Sequence, residues 1–148
     1  ESQLDRFLLR ITLGYPDRAS ERALLVGEDR REAITRLPAV MLPGELEQAQ
    51  RAVREVLASE ALLDYLQTLI AATRSGQWFI EGLSPRAGIA VLRVAKARAL
   101  MAQRDYVAPD DVQSILPQAV AHRLMPVPGS GRGSLEQVRA MIEAVGIP

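Results

Sequence analysis

The sequence predicts a mainly α-helical protein, a helical bundle preceded by one short strand. Three observations carry this. The chain is rich in Ala, Leu, Arg, Glu and Gln, which are strong helix formers. Its apolar residues recur at helical spacing over most of its length. Aromatics are only 4% against 48% hydrophobic residues, so the core must be aliphatic.

Residues 7–13 (Phe-Leu-Leu-Arg-Ile-Thr-Leu) alternate around Leu9, Ile11 and Leu13 and read as a short strand, closed by Gly14-Tyr15-Pro16. One strand makes no sheet, so its partners must be another chain, an unseen hairpin mate or residues upstream. Beyond Pro16 the text is helical. Asp17 caps a first helix to about Val26, with Leu24 and Leu25 expected inward. Residues 28–36 are charged, and Arg30, Arg31 and Arg36 alternate with acids as on a solvated face. Residues 38–43 form an apolar connector between prolines, expected to pack in extended form.

Gly44 opens a helix to about Ala58, with Leu46, Ala49, Val53, Val56 and Leu57 on its inner face. Ser59 restarts the pattern. Leu62, Leu63, Leu66, Leu69, Ile70 and Thr73 make the next stripe, which ends near Ser75-Gly76. Residues 78–80 are a short extended stretch in which Trp78 reads as a packing residue. The helix over residues 85–103 is apolar nearly all round, which places it at the centre of a bundle. Residues 105–107 are again extended, and Pro109 starts a helix with Asp110 and Asp111 in its first turn. Ala108 at its cap has no side-chain acceptor, a deficit of about 1 kcal/mol that Asp111 partly offsets. Pro117 should kink or divide this helix. Residues 126–133 are a Pro/Gly/Ser linker. A last helix runs from Ser134 to about Val145, with Ser134 and Gln137 at capping-box spacing.

Composition narrows the function. The 148 residues suffice for one domain with a real core. Eighteen basic and 18 acidic side chains cancel, which gives no support to bulk nucleic-acid binding. There is no cysteine and one histidine, so neither a thiolate nor a His-rich metal site is encoded. No apolar run approaches the roughly 18 residues of a membrane span. The first residues resemble no signal peptide and lack an initiator Met, so a cytoplasmic fragment that begins mid-protein is expected.

The most informative residue is Arg86, in Gly82-Leu83-Ser84-Pro85-Arg86-Ala87. Ser84 suits a helix N-cap and Pro85 the first helical position. Arg86 then falls on the opening turn, beside the positive end of the helix dipole. A guanidinium is unfavourable there unless an anion comes to it, and phosphate is the natural candidate. An exposed arginine near a carboxylate is the plainer alternative. Arg93 lies seven residues on, hence on the same face, with Ala90 and Ala97 beside the pair. Lys96 and Arg98 complete the basic residues of this helix. No phosphate-cradling Gly-x-x-x-x-Gly-Lys-Ser/Thr loop is present, nor a Ser/His/Asp set or His-Glu-x-x-His. His122 sits near a helix end and reads as a cap or a solvated side chain. The chain alone is therefore not a complete catalyst, though it could supply parts to one.

Five segments, in order, resemble MoxR-type AAA+ ATPases: Glu1-Ser2-Gln3-Leu4-Asp5-Arg6-Phe7 with Gly14-Tyr15-Pro16; Leu62-Leu63-Asp64-Tyr65 with Ala72-Thr73-Arg74; Gly82 to Ala87; Arg104-Asp105-Tyr106-Val107-Ala108-Pro109-Asp110-Asp111-Val112; and His122-Arg123-Leu124. The resemblance covers residues 1 to about 125. It departs from the family pattern at Ser2, where Ala is common, and at Ala108, where Thr usually caps.

The resemblance implies the last strand of an αβα ATPase core and a helical lid. It divides the chain into residues 1–16 (core strand and arginine-finger segment), 17–43 (hinge helix and connector, the hinge between Pro16 and Val26), 44–125 (lid) and 126–148 (linker and C-terminal helix). It makes Arg6 the arginine finger that acts on a neighbouring subunit's ATP, and Arg86 the sensor-2 residue on the γ-phosphate of its own subunit. ATP and Mg2+ are the cofactors implied for the intact parent, and none for this region alone, since the Walker A, Walker B and sensor-1 segments belong upstream. The partners implied are the protein's own core, neighbouring subunits of a ring, a hexamer by expectation, and a von Willebrand A-domain protein, with no nucleic acid and no membrane span. The function implied is ATP sensing coupled to chaperone-like remodelling or maturation of partner proteins. A stand-alone helical interaction module without ATPase activity is the alternative, and a DNA-binding module using Arg86, Arg93 and Lys96 is a third reading that zero net charge disfavours.

Overall fold

The computed structural model describes residues 6–27 and 34–147. Six helices occur among them: α1 (Arg18–Val26), α2 (Pro43–Glu55), α3 (Glu60–Arg74), α4 (Pro85–Met101), α5 (Pro109–Val120) and α6 (Ser134–Ala144). The helix starts follow their local chemistry. Asp17 Oδ1 accepts from Ser20 N at 2.7 Å, Ser59 Oγ from Leu62 N at 3.2 Å and Ser84 Oγ from Ala87 N at 3.2 Å. At α2, Glu45 Oε2 accepts from Leu42 N at 2.7 Å.

The chain divides into two units, and residues 6–10 fall with residues 50–147. In this unit α4 packs along α5, α6 lies on α5, and α3 meets both α4 and α5. The core takes Leu62, Tyr65, Leu66 and Leu69 from α3 and Val91, Ala95 and Ala99 from α4. From α5 it takes Val112, Leu116, Ala119 and Val120, and from α6 Val138 and Met141. The central position expected for α4 holds on one face. The small residues Ala87, Gly88, Ala95 and Ala99 are buried there and let neighbours approach closely, while Ile89 and Met101 are exposed on the other side. Two isolated bridges tie the connections. Leu57 pairs with Tyr106 in parallel, and Phe79 pairs with Pro126 antiparallel. Trp78 packs against the core as a half-buried side chain.

Several details depart from the sequence expectation. Residues 7–13 form no strand ladder among the described residues, because no second strand lies beside them. α2 ends at Glu55 rather than near Ala58, since Leu57 is drawn into its bridge by Leu57 N donating to Asp105 O at 2.7 Å. α5 runs through Pro117 to Val120 without dividing. Pro117 is itself buried in the packing, and its carbonyl still accepts from Ala121 N at 3.0 Å. The cap of α6 is Gly133, not Ser134. Ser134 Oγ donates instead to Leu124 O at 2.8 Å, and Gln137 Nε2 donates to Trp78 O at 3.2 Å. α6 thereby acquires a role the sequence left open: it closes one side of the core.

The second unit, residues 11–49, holds α1, the connector and most of α2. Leu24 and Leu25, expected inward, are exposed, as are Val40 and Met41 of the connector. Nothing among the described residues covers these apolar side chains. The charged residues 28–33 and residues 1–5 lie outside the described set, so the expectations for Arg30, Arg31 and the first part of the Arg6 motif fall there.

Candidate functional site

Two of the segments singled out in the sequence come together. The C-terminal turn of α3 grips the loop that leads into α4. Leu83 N donates to Thr73 Oγ1 at 3.1 Å, while Thr73 Oγ1 donates to Ile70 O at 2.6 Å. Arg74 Nε and Nη2 both donate to Leu83 O, at 2.9 and 2.7 Å. Both backbone groups of Leu83 are therefore held by consecutive side chains of α3. The approach is close enough to require glycine at 82: a Cβ there would lie 2.2 Å from Arg74 Cγ and 2.8 Å from Arg74 Cα. Two residues beyond Leu83 the helix begins, with Pro85 at its first position.

Arg86 is thus carried on a fixed helix start. It is exposed and has no carboxylate partner among the described residues. The other five described helices carry an acid in the first turn: Glu21, Glu45, Glu60, Asp110 with Asp111, and Glu136. The first turn of α4 carries none. Ala87 N and Gly88 N are taken up by Ser84 and Pro85 has no N–H, so the positive end of the helix dipole and the Arg86 guanidinium add to one another as a positive site.

Arg6 is also exposed, and no hydrogen bond or ion pair joins it to Arg86. The next residue is anchored, however. Arg123 Nη2 donates to Phe7 O at 2.7 Å, and His122 Nε2 lies 3.1 Å from the same oxygen. A cap or solvated role, which the local sequence suggests for His122, does not include this contact with a backbone oxygen 115 residues away.

The Arg104 to Val112 segment forms a closed polar hub. Arg104 Nη1 and Nη2 donate to Asp111 Oδ2 and Oδ1 at 2.7 and 2.6 Å. Ala108 N donates to Asp111 Oδ2 at 2.9 Å, one half of a capping box, while Asp111 N, for which Ala108 has no side-chain acceptor, donates to Ala108 O at 3.0 Å. Arg98 Nε lies 3.4 Å from Asp111 Oδ1. The Arg104 guanidinium beside it holds the buried Asp111 carboxyl below its ordinary pKa. Arg98 is therefore partly engaged, and Lys96 Nζ donates to Arg54 O at 3.2 Å, at the end of α2. Arg93 lines an open groove of about 980 Å³ with Arg54, Val94, Met101, Leu8 and Leu9 among others. Among the described residues no cluster of His, Cys, Asp or Glu could hold a metal ion, and no helix is long and apolar enough to cross a membrane.

Comparison with known proteins places this arrangement. Residues 71–144, half of the chain, match the AAA lid domain family. The Bacillus subtilis protein YeaC is 34% identical over the whole chain, which covers 47% of YeaC. The chaperone MoxR1 of Mycobacterium tuberculosis is 33% identical over 84% of the chain, covering 35% of that protein. A crystal structure of a candidate ATPase from Cytophaga hutchinsonii superposes with a TM-score of 0.80 at 26% identity, over 99% of this chain and 48% of that one. The chain spans less than half the length of these proteins. On the match to residues 71–144 and on these relatives, the chain belongs to the AAA lid domain family, within the MoxR-type AAA+ proteins.

Proposed function

We propose that this chain is the nucleotide-responsive lid region of a MoxR-type AAA+ ATPase, with Arg86 contacting the terminal phosphate of ATP in its own subunit. The observation that carries this reading is the bare first turn of α4. An exposed guanidinium with no carboxylate partner among the described residues sits there, on a helix start that lacks the acid the other described helices have. Such a site is short of negative charge, and a polyphosphate would supply it.

ATP with Mg2+ would be held chiefly by ATPase-core motifs that this sequence does not contain, and the residues present fit the role of an added cation. Phosphoryl transfer needs positioning and charge neutralisation more than covalent chemistry. Arg86 would neutralise charge at the terminal phosphate, and Arg6 would do the same at a neighbouring subunit's site in a ring such as a hexamer. Because Leu83 is clamped by Thr73 and Arg74, a pull on Arg86 would be transmitted to α3 and the bundle rather than absorbed by a loose loop. Nucleotide state would then set the angle of the lid about a hinge in residues 16–26, and the motion would remodel or mature partner proteins, a von Willebrand A-domain protein among the candidates. The domain limits 1–16, 17–43, 44–125 and 126–148 belong to the same proposal.

The test is steady-state ATP hydrolysis by the intact parent, wild type against Arg86→Ala, with circular dichroism as the control. A loss of about 100-fold is expected, the scale of removing one preorganised charge-stabilising donor. Unchanged turnover with an intact fold would assign Arg86 a structural role and leave the bundle as a partner-binding module.

A further inference from the structure

The segment beside Arg6 is docked on the helical bundle. Arg123 Nη2 donates to Phe7 O at 2.7 Å, and Arg10 N donates to Gln118 O at 2.9 Å. Between these two anchors, Leu8 and Leu9 line the groove formed with Val53, Val94, Met101 and Ile115. Exposure along the segment follows the same limits: Phe7 63%, Leu8 49% and Leu9 38%, then Ile11 70% and Leu13 93% as the chain departs. Residues 7–10 are therefore a strap bound at both ends, and Arg6 is the residue next to its first anchor.

The chemistry of that anchor is asymmetric. His122 Nε2 lies 3.1 Å from Phe7 O and 3.3 Å from Arg123 Nε, which donates to it. An Nε2 that accepts from Arg123 carries no proton to give Phe7 O, so the imidazole serves one partner at a time. The guanidinium of Arg123 has donors and no acceptor, and its bond to Phe7 O is short, at 2.7 Å, and charge-assisted. Arg123 is thus the primary clasp, and His122 orients it.

We infer that Arg123, supported by His122, is a positioning residue for Arg6: the clasp on the Phe7 carbonyl fixes the arginine finger to the helical bundle. This rests on the arginine-finger reading of Arg6 given above. It adds that the clasp ties the strap of Arg6 to the bundle bearing Arg86 across the hinge, so a swing of the lid about residues 16–26 would pull on the strap and link the sensor of one ATP site to the finger for the next. Coupling between neighbouring sites would then pass through Arg123.

The test is a double-mutant cycle on ATP hydrolysis by the full-length protein. Arg123→Ala should lower kcat about 10- to 100-fold, the scale of a small misplacement of a catalytic group, with KM for ATP little changed. In an Arg6→Ala background the same change should cost nothing further, because Arg123 acts only through Arg6. Arg123→Lys, which keeps a charged donor, should recover part of the loss. A second readout does not depend on turnover: hydrogen exchange at the Arg10 amide should accelerate in Arg123→Ala while the amides of Val91 and Ala95 in α4 keep their protection. Multiplicative losses in the double variant, a rise in KM alone, or unchanged Arg10 protection would each overturn the inference. Unchanged turnover in Arg6→Ala would overturn the finger reading itself and this inference with it, an outcome separable from the others because it needs no change at Arg123.

Discussion

The Arg74 guanidinium holds the Leu83 carbonyl with two N–H groups, at 2.9 and 2.7 Å, across a backbone approach that only glycine at 82 allows. Gly82→Ala would drive a methyl into the Arg74 backbone, which cannot swing aside as a side-chain tip can. A loss of about 1–3 kcal/mol is expected, the range of overpacking. Thr73→Val should cost about the same, because the Leu83 N–H, buried and bound to Thr73 Oγ1, would be left without an acceptor. Urea unfolding followed by circular dichroism measures both. A wild-type midpoint in either variant would mean the loop relaxes and the clamp is not what fixes α4.

Arg86 should show opposite effects on stability and activity. Arg86→Glu places an anion at the positive end of α4, where the first turn has none, and should stabilise the bundle by about 0.5 kcal/mol. The same change would repel the phosphate of the proposed site and abolish ATP turnover in the parent. A thermal melt and an ATPase assay on one preparation check both halves. A destabilised Arg86→Glu would mean that the guanidinium has a structural partner.

Asp111 should make the bundle sensitive to acid. Its folded pKa is lowered, first by the hydrogen bonds from Arg104, with help from the Ala108 N–H and Arg98. A carboxyl of lower pKa in the folded state adds stability that is fully present above its unfolded pKa. That stability is lost as pH falls through the folded value. The wild type should therefore weaken steadily below about pH 4. Asp111→Asn should be less stable near neutral pH by about 2 kcal/mol, from the loss of charge-assisted bonds to a buried acceptor, and should show a flatter acid limb. Equal slopes in the two proteins would show that other carboxylates govern the acid response.

The sequence made the helices legible where one residue decides the local outcome. Asp17 and Ser84 each cap the helix expected of them, Ser59 caps the helix whose pattern it restarts, and Pro85 and Pro109 open theirs. Arg86 could be placed on a first turn for the same reason. What could not be read is long-range. Thr73 looked like one more member of an apolar stripe, yet it is the acceptor for Leu83. Ser134 and Gln137 have capping-box spacing, but each takes another partner, Leu124 O 10 residues back and Trp78 O 59 residues back. Leu24 and Leu25 have helical spacing with no described surface to bury against. Local spacing reports what a residue can do, and tertiary competition decides which use it is put to.

One position is spelled against its backbone. Gln103 adopts φ 57°, the left-handed conformation that side chains other than glycine and asparagine avoid. It lies just past the end of α4, where Gln103 N donates to Leu100 O at 2.8 Å and Arg104 N to Ala99 O at 2.9 Å. This pair of bonds is a Schellman ending, which ordinarily places glycine at that site. The turn also delivers Arg104 to Asp111, so the strained residue is the lead-in to the polar hub. Gln103→Gly removes a left-handed penalty of about 1–2 kcal/mol and adds about 0.5–1 kcal/mol of unfolded-state entropy. The net should be a gain of about 0.5 kcal/mol, read as a higher urea midpoint with an unchanged slope. Gln103→Val, branched at Cβ, should move the midpoint the other way. Should both variants unfold with the wild type, the Arg104–Asp111 pair would not depend on how the chain leaves α4.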